Sequence, residues 1–231
     1  MPVIENSSKS TLRDKFNGFL ARNRRIIIWL SVVFILAVAA TIIITEISNN
    51  TALEQAAALE KLEDEYAAFM SEDDDAGEAG QEALMAEIDD VKKSFPNTIA
   101  DQRATMILGE LEQKNGNYEA AFEYFTQAST IQEKTYLSVP ILIQAYKTAE
   151  LSGNIDIAVE TLESLLDKHG NESVEAPRVL FNLGRLSELK NDPSEANTYY
   201  ERLLLEYPSS SWTNLAQDRI LYLTATGVII D

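Results

Sequence analysis

The side chains able to do chemistry are few in this chain. It has 231 residues, one histidine and no cysteine. Thiol nucleophiles, disulfides, Cys-ligated zinc and iron–sulfur clusters are therefore ruled out by composition. A Ser-His-Asp triad or a His-rich metal site would have to be built around His169 alone. That residue follows Lys168 and precedes Gly170, the pattern of a helix end, where cations meet the carboxyl pole of the helix dipole. The acidic run Glu72-Asp73-Asp74-Asp75 invites a calcium reading. An EF-hand loop started at Asp73 would put Gly77 at its fifth position and Leu84 at its twelfth, where oxygen ligands are required. A solvated acidic loop is expected instead. No Glu/Asp pair stands out as a general acid and base. No phosphate-cradling glycine loop or nucleophile elbow occurs. Asn6-Ser7-Ser8, Asn49-Asn50-Thr51 and Asn171-Glu172-Ser173 fit the glycosylation sequon, a match common by chance. The expectation is a non-enzymatic protein with no cofactor and no metal, whose chemistry is recognition.

Charge is distributed with a direction. The net charge of −18 opposes nucleic-acid binding. Residues 1–25 carry six bases against two acids. Residues 26–45 carry no charge, and residues 46–231 carry 13 bases against 35 acids. The neutral run, Ile26 to Ile44, would span about 28 Å as a helix at ~1.5 Å per residue, close to a bilayer core. Trp29 lies near its basic end, where an interfacial indole belongs. The preceding bases place the N-terminus in the cytoplasm by the positive-inside rule, and the acidic bulk across the membrane. A cleaved signal peptide ending at Ala37-Val38-Ala39 is a weaker alternative, because the apolar run continues past that site. A buried core helix is the weakest. Leu12, Phe16, Phe19 and Leu20 recur among Arg13, Lys15 and Arg22, as in an amphipathic surface helix. An unstructured topogenic tail is slightly favoured.

Beyond residue 96 the sequence repeats itself. Leu108-Gly109, Gly116-Asn117, Ala121, Phe125 and Ala128 align with Ala145-Tyr146, Gly153-Asn154, Ala158, Leu162 and Leu165. Both align with Leu183-Gly184, Asn191-Asp192, Ala196, Tyr200, Leu203 and Pro208. Ala121, Ala158 and Ala196 are 37 and 38 residues apart. Self-similarity at such a period marks stacked supersecondary units. Gly109, Ala121, Gly184 and Ala196 permit close helix approach, and Phe125 and Tyr200 fill space between units. Gly116 and Gly153 suit the left-handed end of a helix. Pro177 and Pro193 suit a helical first turn.

These residues resemble the tetratricopeptide repeat (TPR), a helix–turn–helix unit. The middle repeat departs from the pattern, with Tyr146 in place of the small residue. The expected fold is all-α: one transmembrane helix, then a right-handed TPR-like solenoid of three to four helix pairs and a C-terminal capping helix. The expected division is a basic cytoplasmic tail (1–25), an anchor (26–45), a degenerate helix pair (46–96) with an acidic loop at 71–80, three repeats (97–210), and a cap with its tail (211–231). Leu53, Ala57, Leu59, Leu62, Tyr66, Phe69 and Met70 would form the apolar face of the first flanking helix. Trp212, Leu215, Ile220, Leu221 and Leu223 would form that of the cap.

The resemblance also implies a peptide groove lined by the first helix of each pair. Its positions fall on Arg103, Met106, Glu110 and Gln113, on Ile143, Lys147 and Glu150, and on Arg178, Phe181, Arg185 and Glu188. Four bases there, interleaved with Met106, Ile143 and Phe181, suit an unfolded or acidic peptide. The competing reading is ordinary snorkelling of Arg and Lys. The whole plan resembles the ancillary SecYEG translocon subunit family, anchored in the bacterial inner membrane and facing the periplasm. That resemblance implies binding of translocating or secretory polypeptides, or of translocon or periplasmic chaperone components. The alternative is a scaffold subunit of an outer-membrane assembly or cell-envelope and division complex.

Overall fold

The computed structural model describes residues 15–20, 22–71, 77–170 and 173–228. Every regular element among them is helical. Residues 15–20 form a short helix, so at least this part of the tail is not structureless. Nine longer helices follow: α1 (Arg24–Ser71), α2 (Gly77–Ser94), α3 (Ile99–Lys114), α4 (Tyr118–Ile131), α5 (Ser138–Leu151), α6 (Ile155–His169), α7 (Ala176–Leu189), α8 (Pro193–Glu206) and α9 (Ser211–Ala225). The chain divides into two compact units, Met1–Gln55 and Ala56–Asp231. The sequence features at Lys9, Leu12 and Arg13, at Glu72–Asp75, at Asn171 and in the last three residues lie outside the described residues.

The first unit contains the apolar run. Its window Arg24–Ile43 has a mean hydropathy of 2.9, and none of it is buried. Trp29 is 71% exposed and Phe34 69%. The buried-core reading of this segment is thereby corrected: a core helix would have its apolar side chains covered by the protein. Thr41 and Thr45 donate their hydroxyls to the carbonyls of Ala37 and Thr41 at 2.8 Å, which satisfies them without water. Helix α1 is long and apolar enough to cross a membrane.

In the second unit each helix packs on its neighbours in sequence, from α2–α3 through α8–α9, and α9 also reaches α7. The pairs α3–α4, α5–α6 and α7–α8 are the three repeats. Their turns share one geometry. Gly116 and Gly153 have φ of 80° and 82°, and Asn191 takes the same place with φ 58°. In each turn the following amide closes a six-residue ring: Asn117 onto Glu112, Asn154 onto Ala149 and Asp192 onto Ser187, all at 2.9 Å. Left-handed residues ending helices this way satisfy carbonyls that the helix itself cannot. Asp192 then caps α8 by accepting from the Glu195 amide, with Pro193 as first helical residue.

The contact that sets helix separation is a ring laid on a glycine. A Cβ on Gly109 would lie 2.8 Å from the Phe125 ring, and one on Gly184 2.4 Å from the Tyr200 ring. Phe125 and Tyr200 are fully buried. In the middle repeat the partners exchange sizes: buried Tyr146 stands at the glycine position and buried Leu162 at the ring position. The total volume between the helices is roughly kept, which cores tolerate. The departure of repeat two is thus a compensated swap.

The flanking helices are less regular. Leu62 is buried with Leu84, Ile88, Ala104 and Ile107, while Leu59, Tyr66 and Phe69 pack at its edge. Leu53 and Met70 are exposed, against the expected apolar face. On α9, Leu223 is buried and Trp212 and Ile220 pack on the core, but Leu215 and Leu221 are exposed. Thr213 and Ala216 take the buried places instead. No further helix follows to cover the other side of α9 among the described residues.

Gly184→Ala is expected to destabilise the second unit by about 1–3 kcal/mol, because the new methyl overpacks against a fully buried ring. A urea denaturation series monitored by circular dichroism would show a lowered midpoint. An unchanged midpoint would mean that the ring contact does not set the helix spacing.

Candidate functional site

The first helices of the repeats, α3, α5 and α7, present side chains to a shared face. A cavity of about 310 Å³ opens there. Its apolar lining comes from Met106 of α3 and from Val139, Pro140 and Ile143 of α5. Its polar lining comes from Gln144 and Lys147 of α5, from Glu175, and from Arg178 of α7. The helical spacing of Val139, Ile143 and Lys147 puts them in one row. A larger cavity of about 570 Å³ lies between α6 and α8. There the Tyr199 hydroxyl already donates to Glu163 at 2.7 Å and Arg202 to Glu206 at 2.9 Å. Its polar groups are occupied by one another.

Of the eight expected groove residues, Met106, Ile143, Lys147 and Arg178 come together around the smaller cavity. The other four do not line it. Arg103 is held by both oxygens of Glu63, at 2.6 and 3.1 Å, and by Glu110 at 3.0 Å. Its guanidinium also lies 5.3 Å from the Tyr66 ring, within cation–π range. Glu110 is therefore spent on Arg103. Phe181 is covered by Trp212, ring centroids 5.3 Å apart, and touches Tyr200 at 5.8 Å. Arg185 makes a two-pronged contact with Glu150, both bonds 2.6 Å. The described residues contain no group of three His, Asp or Glu side chains placed to hold a metal.

Sequence reasoning missed the pairing that runs between repeats. Glu150 of α5 holds Arg185 of α7. Glu188 of α7 in turn holds Arg219 of α9, through Oε1 at 3.0 Å and through a second, shorter contact. Glu150 and Glu188 are 38 residues apart, one repeat period. That register was the available signal. Glu188 also accepts from the Tyr200 hydroxyl at 2.6 Å. Burial alone would push the Glu188 carboxyl up, but the hydrogen bonds from Arg219 and Tyr200 more than offset it, and the group sits below its usual range. Arg185 is raised by its hydrogen bonds to Glu150 against the effect of burial. Lys147 moves the other way: partial burial and the neighbouring Arg178 charge lower it. It makes no ion pair among the described residues, and its nearest polar partner is Gln144 Oε1 at 3.5 Å.

A second missed feature is the buried clamp on the longer link between repeats one and two. Fully buried Gln102 donates to the carbonyls of Ala128 and Gln132 at 3.1 and 2.8 Å. Its own oxygen accepts from Thr135 at 2.6 Å. The stretch between α4 and α5 is thus pinned from α3, which fixes how α5 presents its row to the cavity.

A family model described as a tetratricopeptide repeat-like domain matches residues 17–217. No curated protein matches the chain significantly. Among solved structures, a tetratricopeptide repeat protein from Parabacteroides merdae superposes with a TM-score of 0.54 at 15% identity, over 73% of this chain and 61% of that one. Nearly identical TPR-like repeats from Podosopora anserina give 0.54 at 15%, over 73% and 88%. PilF of Pseudomonas aeruginosa gives 0.51 at 16%, over 76% and 72%. At such identities the likeness is one of fold.

The lowered Glu188 carboxyl implies a pH dependence with a definite sign. A depressed folded-state value stabilises the fold above the unfolded value and is lost as pH falls through the folded one. Wild type should therefore lose stability faster than Glu188→Gln on acidification below about pH 4.5, the model carboxyl value. Denaturation midpoints of the two proteins measured from neutral to acid pH should converge. Parallel curves would refute the assignment of Glu188 as a charged partner of Arg219.

Proposed function

Because the chain belongs to the tetratricopeptide repeat-like family, we propose that it is a non-enzymatic, membrane-anchored scaffold that holds extended polypeptides at the α3–α5–α7 face. The observation that carries this reading is the cavity beside Met106 and Ile143. It is apolar at its walls, basic at its rim, and formed by three successive repeats. A segment of extended chain fits such a site: side chains enter the cavity and the flanking backbone stays in water. Repeat arrays use stacked faces of this kind for binding.

Anchoring is supported by the exposed apolar helix at Arg24–Ile43. The bases before it support a cytoplasmic N-terminus, and the acidic second unit supports an extracytoplasmic placement. In a bacterial cell that would be a single-pass protein of the inner membrane facing the periplasm. The combination resembles the ancillary SecYEG translocon subunits. Polypeptides emerging from a translocon, or chaperones that receive them, are the partners that suit it.

Alkaline extraction should leave the chain in the membrane pellet, and deletion of residues 26–45 should release it to the supernatant. With a photo-crosslinking residue at Ile143, captured proteins should include many secretory precursors together with translocon subunits. Release of the intact chain by alkali would refute the anchor. Capture of one fixed envelope complex, without precursors, would favour the scaffold alternative over the translocon reading.

A further inference from the structure

The pairs along the first-helix face follow a rule that fails at one place. Glu150 of α5 binds Arg185 of α7, and Glu188 of α7 binds Arg219 of α9. In each case a carboxylate near the end of one first helix holds a guanidinium on the next. Stepping back one period from Glu150 by 37 residues reaches Gln113, and stepping back from Arg185 by 38 reaches Lys147. The α3–α5 junction therefore carries an uncharged amide where the later junctions carry a carboxylate. The cation on α5 is kept while its acid is missing. Lys147 accordingly makes no ion pair among the described residues.

That uncompensated ammonium stands at the cavity. Arg178 lines the same cavity. Its ion pair among the described residues is a single 3.3 Å contact with Glu175, three residues earlier. Arg185, by contrast, has both prongs filled. A half-buried cation without an acid favours an anion from outside, because pairing restores what desolvation removed. Beside the two cations the wall is Met106, Val139 and Ile143, which accepts an aliphatic side chain and rejects a second charge.

We propose that this cavity is an anchor for extended peptide segments that carry an acidic residue next to a large aliphatic one. The carboxylate pairs with Lys147 and Arg178, and the aliphatic side chain fills the space over Met106 and Ile143. This rests on the polypeptide-binding reading above and adds a sequence preference to it. Gln113 is what opens the site: its lack of charge leaves the Lys147 position to be filled by the ligand.

The test uses the full chain in detergent micelles and fluorescein-labelled decapeptides of Gly and Ser. One peptide carries Leu and Asp two residues apart. A second has Asn for the Asp, and a third has Ser for the Leu. Fluorescence anisotropy should show binding of the first, with each control weaker by about tenfold, as expected for loss of one good contact. Gln113→Glu, which supplies Lys147 with a partner from the chain itself, should weaken the Leu/Asp peptide several-fold and leave the Asn peptide nearly unchanged. Circular dichroism establishes that this surface variant is folded. A preference for Leu alone, no preference, or an unmoved affinity in Gln113→Glu overturns the inference. If no peptide binds, the inference also falls. In that case the Ile143 crosslinker decides the broader reading: capture of precursors keeps it standing, and no capture removes it as well.

Discussion

Each repeat depends on how near its two helices can come. At Gly109 and Gly184 the following helix lays an aromatic ring where a side chain would otherwise stand. Interiors packed at crystal-like density leave no slack at such a point, so the ring and the missing Cβ together fix the helix separation. Repeat two solves the same problem in reverse, with Tyr146 on one helix and Leu162 on the other. Once the pairs are locked at similar spacing, residues on successive first helices meet in similar register. The Glu150–Arg185 and Glu188–Arg219 contacts follow from that register, and so does the cavity shared by α3, α5 and α7.

Much of this was legible before any coordinates. The spacing of Ala121, Ala158 and Ala196 reports the period, and the glycines at 116 and 153 report the turns. Asn191 could be read as the third turn because Asn tolerates the left-handed region better than most residues. The fate of the groove positions was not legible. Arg103 is taken by Glu63 and Tyr66, and Phe181 by Trp212. Those covering residues lie outside the three aligned repeats, so repeat alignment says nothing about them. The face of α9 was misread for a related reason. Amphipathic spacing marks Leu215 and Leu221 as buried, but a helix at the end of the described array has a neighbour on one side only.

The flanking elements therefore do two jobs at once. Glu63, Leu62 and Tyr66 complete the interface of α3 and occupy the expected groove at its first position. Trp212 completes the interface of α7 and covers the last. What stays open is the middle, where the face is made by repeats alone. The useful site is thus smaller than a groove running the length of the repeats, and it is suited to a short stretch of chain.

The charge of the second helices bears on what reaches that site. Helix α4 carries Glu119 and Glu123 with no base. Helix α6 carries Asp156, Glu160, Glu163 and Asp167 against Lys168, and α8 carries Glu195, Glu201 and Glu206 against Arg202. The first helices are nearly balanced by comparison. An acidic domain would be expected to repel acidic ligands, yet packed helices stand about 8–10 Å apart, and the Debye length at physiological salt is ~8 Å. Charges a full helix layer away are therefore largely screened in solution, whereas Lys147 and Arg178 act at contact. Net charge governs the solubility of this protein and its distance from anionic surfaces. The local imbalance left by Gln113 governs what the cavity accepts.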